Sequence, residues 1–245
     1  MSERKQFMTT TNKNVELRQV FRRFTLGQSW EHAILFISGT VLLLTGLPQK
    51  YRTASWSQQL LSTPERLETI QQIHHIAAIA LILLVIYHFG RAIYLMTQGR
   101  LSAAIFPTVQ DLRDAWQMIK YLLFLKNKQP KFSKYNFEQK FTYWFIFIIV
   151  GIMILTGVIN WFPELITRFL PGGVIPAAKL AHSTEAIVGA IFIVVWHIYH
   201  VHLERFNVSI FTGYLNEEEM QKYHTLEYQL LTGEQVEETE TRGSQ

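Results

Sequence analysis

Four stretches of this chain are long enough to cross a bilayer and almost empty of charge. Between Glu31 and Lys50, between Glu68 and Arg91, and between Lys140 and Glu164 there is no Asp, Glu, Lys or Arg, and between Lys179 and Glu204 there is only Glu185. A helix rising about 1.5 Å per residue needs roughly 20 residues to cross a hydrocarbon core of about 30 Å. Lipid offers the backbone no hydrogen-bond partners, so a spanning segment is a helix or part of a closed barrel. The apolar runs are unbroken rather than alternating, which selects helices. The expected fold is an all-α membrane protein, a four-transmembrane-helix bundle with spans near 31–49, 71–97, 139–163 and 179–203.

Composition narrows the chemistry. Hydrophobic residues make up 49% of the chain and there is no cysteine. Disulfides, iron–sulfur clusters and covalently attached c-type haem are therefore excluded. No apolar core precedes Trp30, so the first span itself is expected to direct insertion, without a cleavable signal.

Basic residues set the expected orientation. Arg4, Lys5, Lys13, Arg18, Arg22 and Arg23 precede the first span, and nine Lys or Arg residues from Arg91 to Lys140 lie between the second and third. The other two loops are poor in positive charge. The positive-inside rule puts both termini and the central loop in the cytoplasm. An isoelectric point near 9.2 reflects this topology and not nucleic-acid binding, since the basic residues flank membrane spans. Within the central loop, Thr108 and Asp111 form a capping-box pattern, and Val109, Leu112, Trp116, Ile119 and Leu123 recur at helical spacing. This predicts an amphipathic helix on the membrane surface, tying the halves together or walling a lipid-facing ligand pocket. The organisation expected is a polar segment over 1–22, the membrane domain over 23–215 and an acidic tail over 216–245.

The halves look alike. The first span ends Thr45-Gly46-Leu47-Pro48 and the third runs Thr156-Gly157-Val158 to Pro163, and the helix after each opens on histidine. Five histidines sit near span ends: His32, His74, His88, His182 and His197. Ionisable residues inside a membrane are costly and ordinarily functional. With the amino terminus inside, His74 and His182 share the outer depth, and His32 and His197 the inner depth. His182 and His197 are about 22 Å apart along a helix axis, with a rotation of roughly 60°. Two cofactors stacked across the membrane, each held by histidines from facing helices, fit that pattern, and bis-histidine haem b is such a cofactor. Zinc would want three or four ligands at one depth, and there is no nucleophile for a catalytic triad. A lone histidine at a helix end is ordinarily an interfacial cap; four in matched layers are harder to explain that way. His75, His200, His202 and His224 are read as interfacial or solvent-exposed. Glu185, one turn past His182, is read as facing the bundle interior or the outer headgroups, as a structural group, a tuner of the outer site or a docking point.

The order of motifs resembles the di-haem cytochrome b subunit of respiratory formate dehydrogenases, a family shared with the cytochrome subunits of nickel–iron hydrogenases and thiosulfate reductases. The likeness runs over roughly residues 20 to 230. It rests on His32 at a fixed distance from Thr45-Gly46, Ile73-His74, Lys134-Tyr135-Asn136, Gln139-Lys140, Trp144, Thr156-Gly157-Val158-Ile159 with Trp161 and Pro163, His197-Ile198-Tyr199, Ser209, Gly213, His224 and Tyr228. The resemblance implies two b haems with His32, His74, His182 and His197 as axial ligands of the iron. It also implies menaquinone or ubiquinone near Asn136 and His197, in a bacterial inner membrane. Glu138 departs from the small residue expected there and points to a different proton-transfer partner. His88, fourteen residues after His74, matches the scheme in which one helix holds two haems, and would then replace His32. The distance from His32 to Thr45-Gly46 favours His32, leaving His88 for a propionate, the quinone or a third redox centre.

The function these features imply is an electron-transfer subunit without substrate chemistry beyond the quinone. Its expected partners are a periplasmic iron–sulfur or multihaem cytochrome subunit and a catalytic oxidoreductase subunit. Electrons could run towards the quinone or from quinol to an outer reductase. A membrane anchor or proton-relay transporter without haem is the reading of another class, and it lacks the paired broken helices of a transport site.

Overall fold

The computed structural model describes residues 20–203 and 207–233. Among these residues, four helices are long and apolar enough to cross a membrane. In chain order, strand β1 (Val20–Arg22) leads into α1 (Leu26–Lys50), the short α2 (Ser55–Leu60), α3 (Pro64–Thr97), a 3₁₀ turn at Ala103–Ile105 and α4 (Val109–Leu122). Then come α5 (Phe137–Trp161), α6 (Pro163–Ile166), α7 (Val174–Phe192) with a π-helical continuation (Ile193–Leu203), α8 (Ser209–Thr212), strand β2 (Tyr214–Asn216), α9 (Glu217–Tyr223) and α10 (Thr225–Thr232). The spanning helices are α1, α3, α5 and α7, the last continuing to Val201. They begin earlier than their charge-free cores because polar and aromatic residues extend each helix past the hydrocarbon. Helix α3, for example, starts on Pro64, whose missing N–H costs nothing there, with the Thr63 hydroxyl accepting from Arg66 N at 3.3 Å.

The chain divides into two compact units. Among the described residues, one contains 26–101, 144–203 and 207–208. Its helices α1 and α3 pack together, and α1 also meets α7. Small buried residues (Ser38, Ala77, Thr156, Ala178) let the helices approach, whereas many large apolar side chains of the spans are exposed. In a soluble protein such surface would aggregate; on membrane spans it faces lipid.

Among the described residues, the other unit contains 20–25, 102–143 and 209–233. Strands β1 and β2 pair antiparallel with Phe21 opposite Leu215. Leu215, Met220 and Tyr228 form a small core, with Phe21 and Leu231 packed against it. The Tyr228 hydroxyl donates to Glu217 at 2.7 Å. Helix α4 carries the predicted capping box, with Thr108 N donating to the Asp111 carboxylate at 2.6 Å. The same carboxylate accepts from Lys140 Nζ at 2.9 Å, which ties α4 to the first turn of α5. The first turn of α5 is itself closed reciprocally. Gln139 N donates to Asn136 Oδ1 at 2.8 Å, and Asn136 N donates to Gln139 Oε1 at 3.2 Å.

Candidate functional site

Within the unit of spanning helices, four of the five histidines singled out from the sequence come together as two facing pairs. His74 on α3 and His182 on α7 have ring centres 6.3 Å apart with planes at 67°. His32 on α1 and His197 on the π-helical continuation of α7 have ring centres 6.3 Å apart with planes at 40°. Two imidazoles bound to one metal through roughly 2 Å bonds have ring centres about 6 Å apart. Both pairs thus have a spacing that would suit one metal ion held between two imidazoles.

The first pair is built by a repeated local device. Thr45, near the end of α1, lies 2.8 Å from His74 Nδ1, and Thr156, near the end of α5, lies 3.1 Å from His182 Nδ1. The residue after each threonine is glycine. A Cβ at Gly46 would stand 3.4 Å from His74 Cε1, and one at Gly157 would stand 3.2 Å from His182 Cε1. The absent side chains leave room for the rings. The sequence shows this Thr-Gly pair as a repeat; its role in holding histidines on two other helices appears only in three dimensions.

The second pair depends on a change of winding. An α-helix would rotate His197 roughly 60° away from His182. From Ile193 the chain is π-helical, and this wider winding turns fewer degrees per residue, which removes most of that offset. Both histidines of α7 then project near one face. Phe192 and Trp196 lie nearly parallel with ring centres 6.2 Å apart, and Trp196 meets His200 at 4.4 Å with planes tilted by 37°. His200 Nδ1 lies 2.8 Å from the Trp196 carbonyl.

His88 joins neither pair. Its Nδ1 lies 2.7 Å from Glu31, which also accepts from Arg91 at 3.1 Å and forms an ion pair with Arg91 Nε at 2.5 Å. This cluster fastens the end of α3 to the start of α1, one residue before His32. The sequence reading used Glu31 and Arg91 as bounds of charge-free stretches, and Arg91 as an orienting charge, without pairing either with His88.

Asn136 is 1% exposed. Its amide oxygen caps α5 and its nitrogen donates to Glu138 at 3.2 Å. Glu185 is half-buried on α7. His75 is half-buried and stacks on Trp161 with ring centres 4.1 Å apart. The expectation that His224 is interfacial or exposed is corrected. It is 2% exposed, with Nδ1 3.0 Å from the Ser133 carbonyl; folding of α9 and α10 against that loop covers it. The side chain of His202, like Arg4, Lys5, Lys13 and Arg18, lies outside the described residues. Among the described residues no group of three or more His, Cys, Asp or Glu could hold a metal ion. Two-coordinate pairs suit a macrocycle that supplies the remaining ligands itself.

Comparison with known proteins shows the family of the chain. Residues 23–213 match the family described as prokaryotic cytochrome b561. The chain is 24% identical over 173 residues to the cytochrome b556(Fdn) subunit of the nitrate-inducible formate dehydrogenase of Escherichia coli K12, an alignment covering 69% of this chain and 70% of the relative. The same subunit from Escherichia coli O157:H7 and from Shigella flexneri matches equally. The chain belongs to the prokaryotic cytochrome b561 family. It is a multi-pass membrane cytochrome b of electron transport, and the cofactor of such a family is haem b.

Proposed function

We propose that this cytochrome b561-family protein carries electrons across the bacterial inner membrane through two b haems, between a redox partner on the outer face and the quinone pool on the cytoplasmic face. The observation that supports this most directly is the pair of facing histidine couples, each with ring centres 6.3 Å apart. In this reading His74 and His182 hold the outer haem, and His32 and His197 hold the inner one. The engagement of His88 by Glu31 at 2.7 Å supports its exclusion from the ligand set. Bound through two imidazoles, a b haem supplies reversible one-electron storage without an open coordination position.

The protein residues supply ligation, orientation and the dry surroundings of both sites. Both termini and α4 lie on the cytoplasmic side, in keeping with the basic residues of the first and central polar segments. Asn136 uses one amide hydrogen on Glu138; its second is the donor proposed for a quinone carbonyl. Reduction of a quinone takes up two electrons and two protons, and Glu138 is the carboxylate placed beside that donor. The relatives are subunits of a formate dehydrogenase. The partners proposed here are accordingly an iron–sulfur or multihaem cytochrome subunit on the outer face and a catalytic oxidoreductase subunit beyond it.

Difference spectroscopy of the purified protein tests the reading. Dithionite is expected to produce a b-type alpha band, and a menaquinol analogue to produce part of the same band. A protein with no such band carries no haem b, and one whose band responds to dithionite but never to quinol exchanges electrons with something else.

A further inference from the structure

The two threonines beside the His74 and His182 pair each have one hydrogen to donate, and each is committed. Thr45 Oγ1 donates to the Val41 carbonyl at 2.7 Å and Thr156 Oγ1 donates to the Ile152 carbonyl at 2.7 Å, both along their own helices. The contacts to His74 Nδ1 at 2.8 Å and His182 Nδ1 at 3.1 Å must then be made with the threonine as acceptor. A ring nitrogen that faces an accepting oxygen must carry the hydrogen. Each Nδ1 therefore carries the proton, and each Nε2 is left with its lone pair in the plane of the ring.

We infer that Thr45 and Thr156 are positioning residues that fix the tautomer of both outer histidines, aim Nε2 at the iron, and hold the midpoint potential of the outer haem below that of an otherwise identical site. A hydrogen bond from Nδ1–H to an acceptor raises the electron-donor strength of the other ring nitrogen, which favours the ferric over the ferrous iron. The glycines complete the device. Gly46 and Gly157 let the rings settle against the helices that carry the acceptors. Because α1 supports a ligand on α3 and α5 supports a ligand on α7, both halves of the duplicated sequence converge on one cofactor. A lowered potential at this site eases onward transfer of electrons to the inner site, which bears on the direction of flow. The consequence for potential rests on the proposed haem assignment, whereas the tautomer follows from the hydrogen bonds alone.

The test is a potentiometric titration of the visible spectrum of the purified holoprotein, in Thr45→Val, Thr156→Val and the corresponding serine variants. Valine keeps the shape and removes the acceptor; serine restores it. One of the two midpoints is expected to move to more positive potential in each valine variant and further in the double variant, with the other midpoint unchanged and serine returning the original value. Two haems present with neither midpoint moved by valine, or equal movement with serine, overturns the inference. Absence of any b-type band in the wild-type protein would instead defeat the haem assignment. Should a valine variant fail to retain haem, nitrogen-15 spectra of the reduced, diamagnetic wild-type protein decide the matter. An N–H signal on Nδ1 of His74 and His182 upholds the inference, and a bare Nδ1 on either overturns it.

Discussion

Substituting Gly157 by alanine should damage this protein, although alanine is the better helix former. In the interior of a helix, Gly→Ala is favourable by up to about 1 kcal/mol when the added methyl meets nothing. Gly151, earlier on α5, is such a position, with nothing within 4 Å of where its methyl would stand, and Gly39 on α1 is another. At Gly157 the methyl would stand 3.2 Å from His182 Cε1, and for the ring to retreat it must also leave Thr156. Overpacking of this kind costs typically about 1–3 kcal/mol. Set against the helix gain, Gly157→Ala should destabilise by about 1 kcal/mol while Gly151→Ala stabilises slightly. Gly46→Ala should lie between them, because its methyl would keep 3.4 Å from His74. Thermal unfolding in detergent, followed by size-exclusion chromatography and the Soret band, gives stability and cofactor retention in one experiment. A Gly157→Ala protein as stable as Gly151→Ala and with full Soret absorbance would refute the idea that this glycine exists to seat His182.

Three further outcomes are expected. Glu31→Gln should destabilise by about 2 kcal/mol, since Glu31 is the shared partner of His88 and Arg91 and its side chain is only 12% exposed; unchanged thermal stability would remove its role as the fastener of α1 to α3. Although burial alone raises the Asp111 pKa, the hydrogen bonds from Lys140 and Thr108 hold the carboxyl below its usual range. A carboxyl with a folded pKa below its unfolded pKa stabilises above the unfolded value of about 4, and that stability is lost as pH falls through the folded one. Amide protection of α4 should therefore decline on acidification, and Asp111→Asn should weaken it at neutral pH and flatten the acid limb. Phe124 follows α4 with φ of 60° and is 79% exposed in the protein itself, a conformation costly for a bulky residue unless something offsets it. Burial in lipid is the compensation expected for the tip Leu122–Leu125. In this cysteine-free chain a nitroxide at Phe124→Cys should be accessible to oxygen and shielded from a water-soluble relaxant, and the reverse pattern would place α4 away from the bilayer.

The charge-free stretches made the spans legible because the penalty for charge in hydrocarbon leaves an unmistakable gap in the sequence. The capping box at Thr108 and the pairing of histidines by depth were legible for similar reasons, each being a local or periodic signal. What could not be read depends on distant partners. Strands β1 and β2 have three residues each and lie nearly the whole chain apart, so neither carries a period of its own. His224 looked exposed because Ser133, whose carbonyl it meets, is 91 residues away. The π-helical winding at Ile193 has no proline or glycine to announce it, yet it sets the face on which His197 lies. The Thr-Gly repeat was visible as a pattern, but its use needed the helices of each half to be packed side by side.

The most direct measurement is the haem-to-protein ratio, by pyridine haemochrome, of the purified chain and of single alanine variants at His32, His74, His88, His182 and His197. Two haems per chain are expected in the wild type and in His88→Ala, and one in each of the other four. A wild-type ratio of one, or loss of a haem with His88→Ala while His32→Ala retains both, would contradict the account.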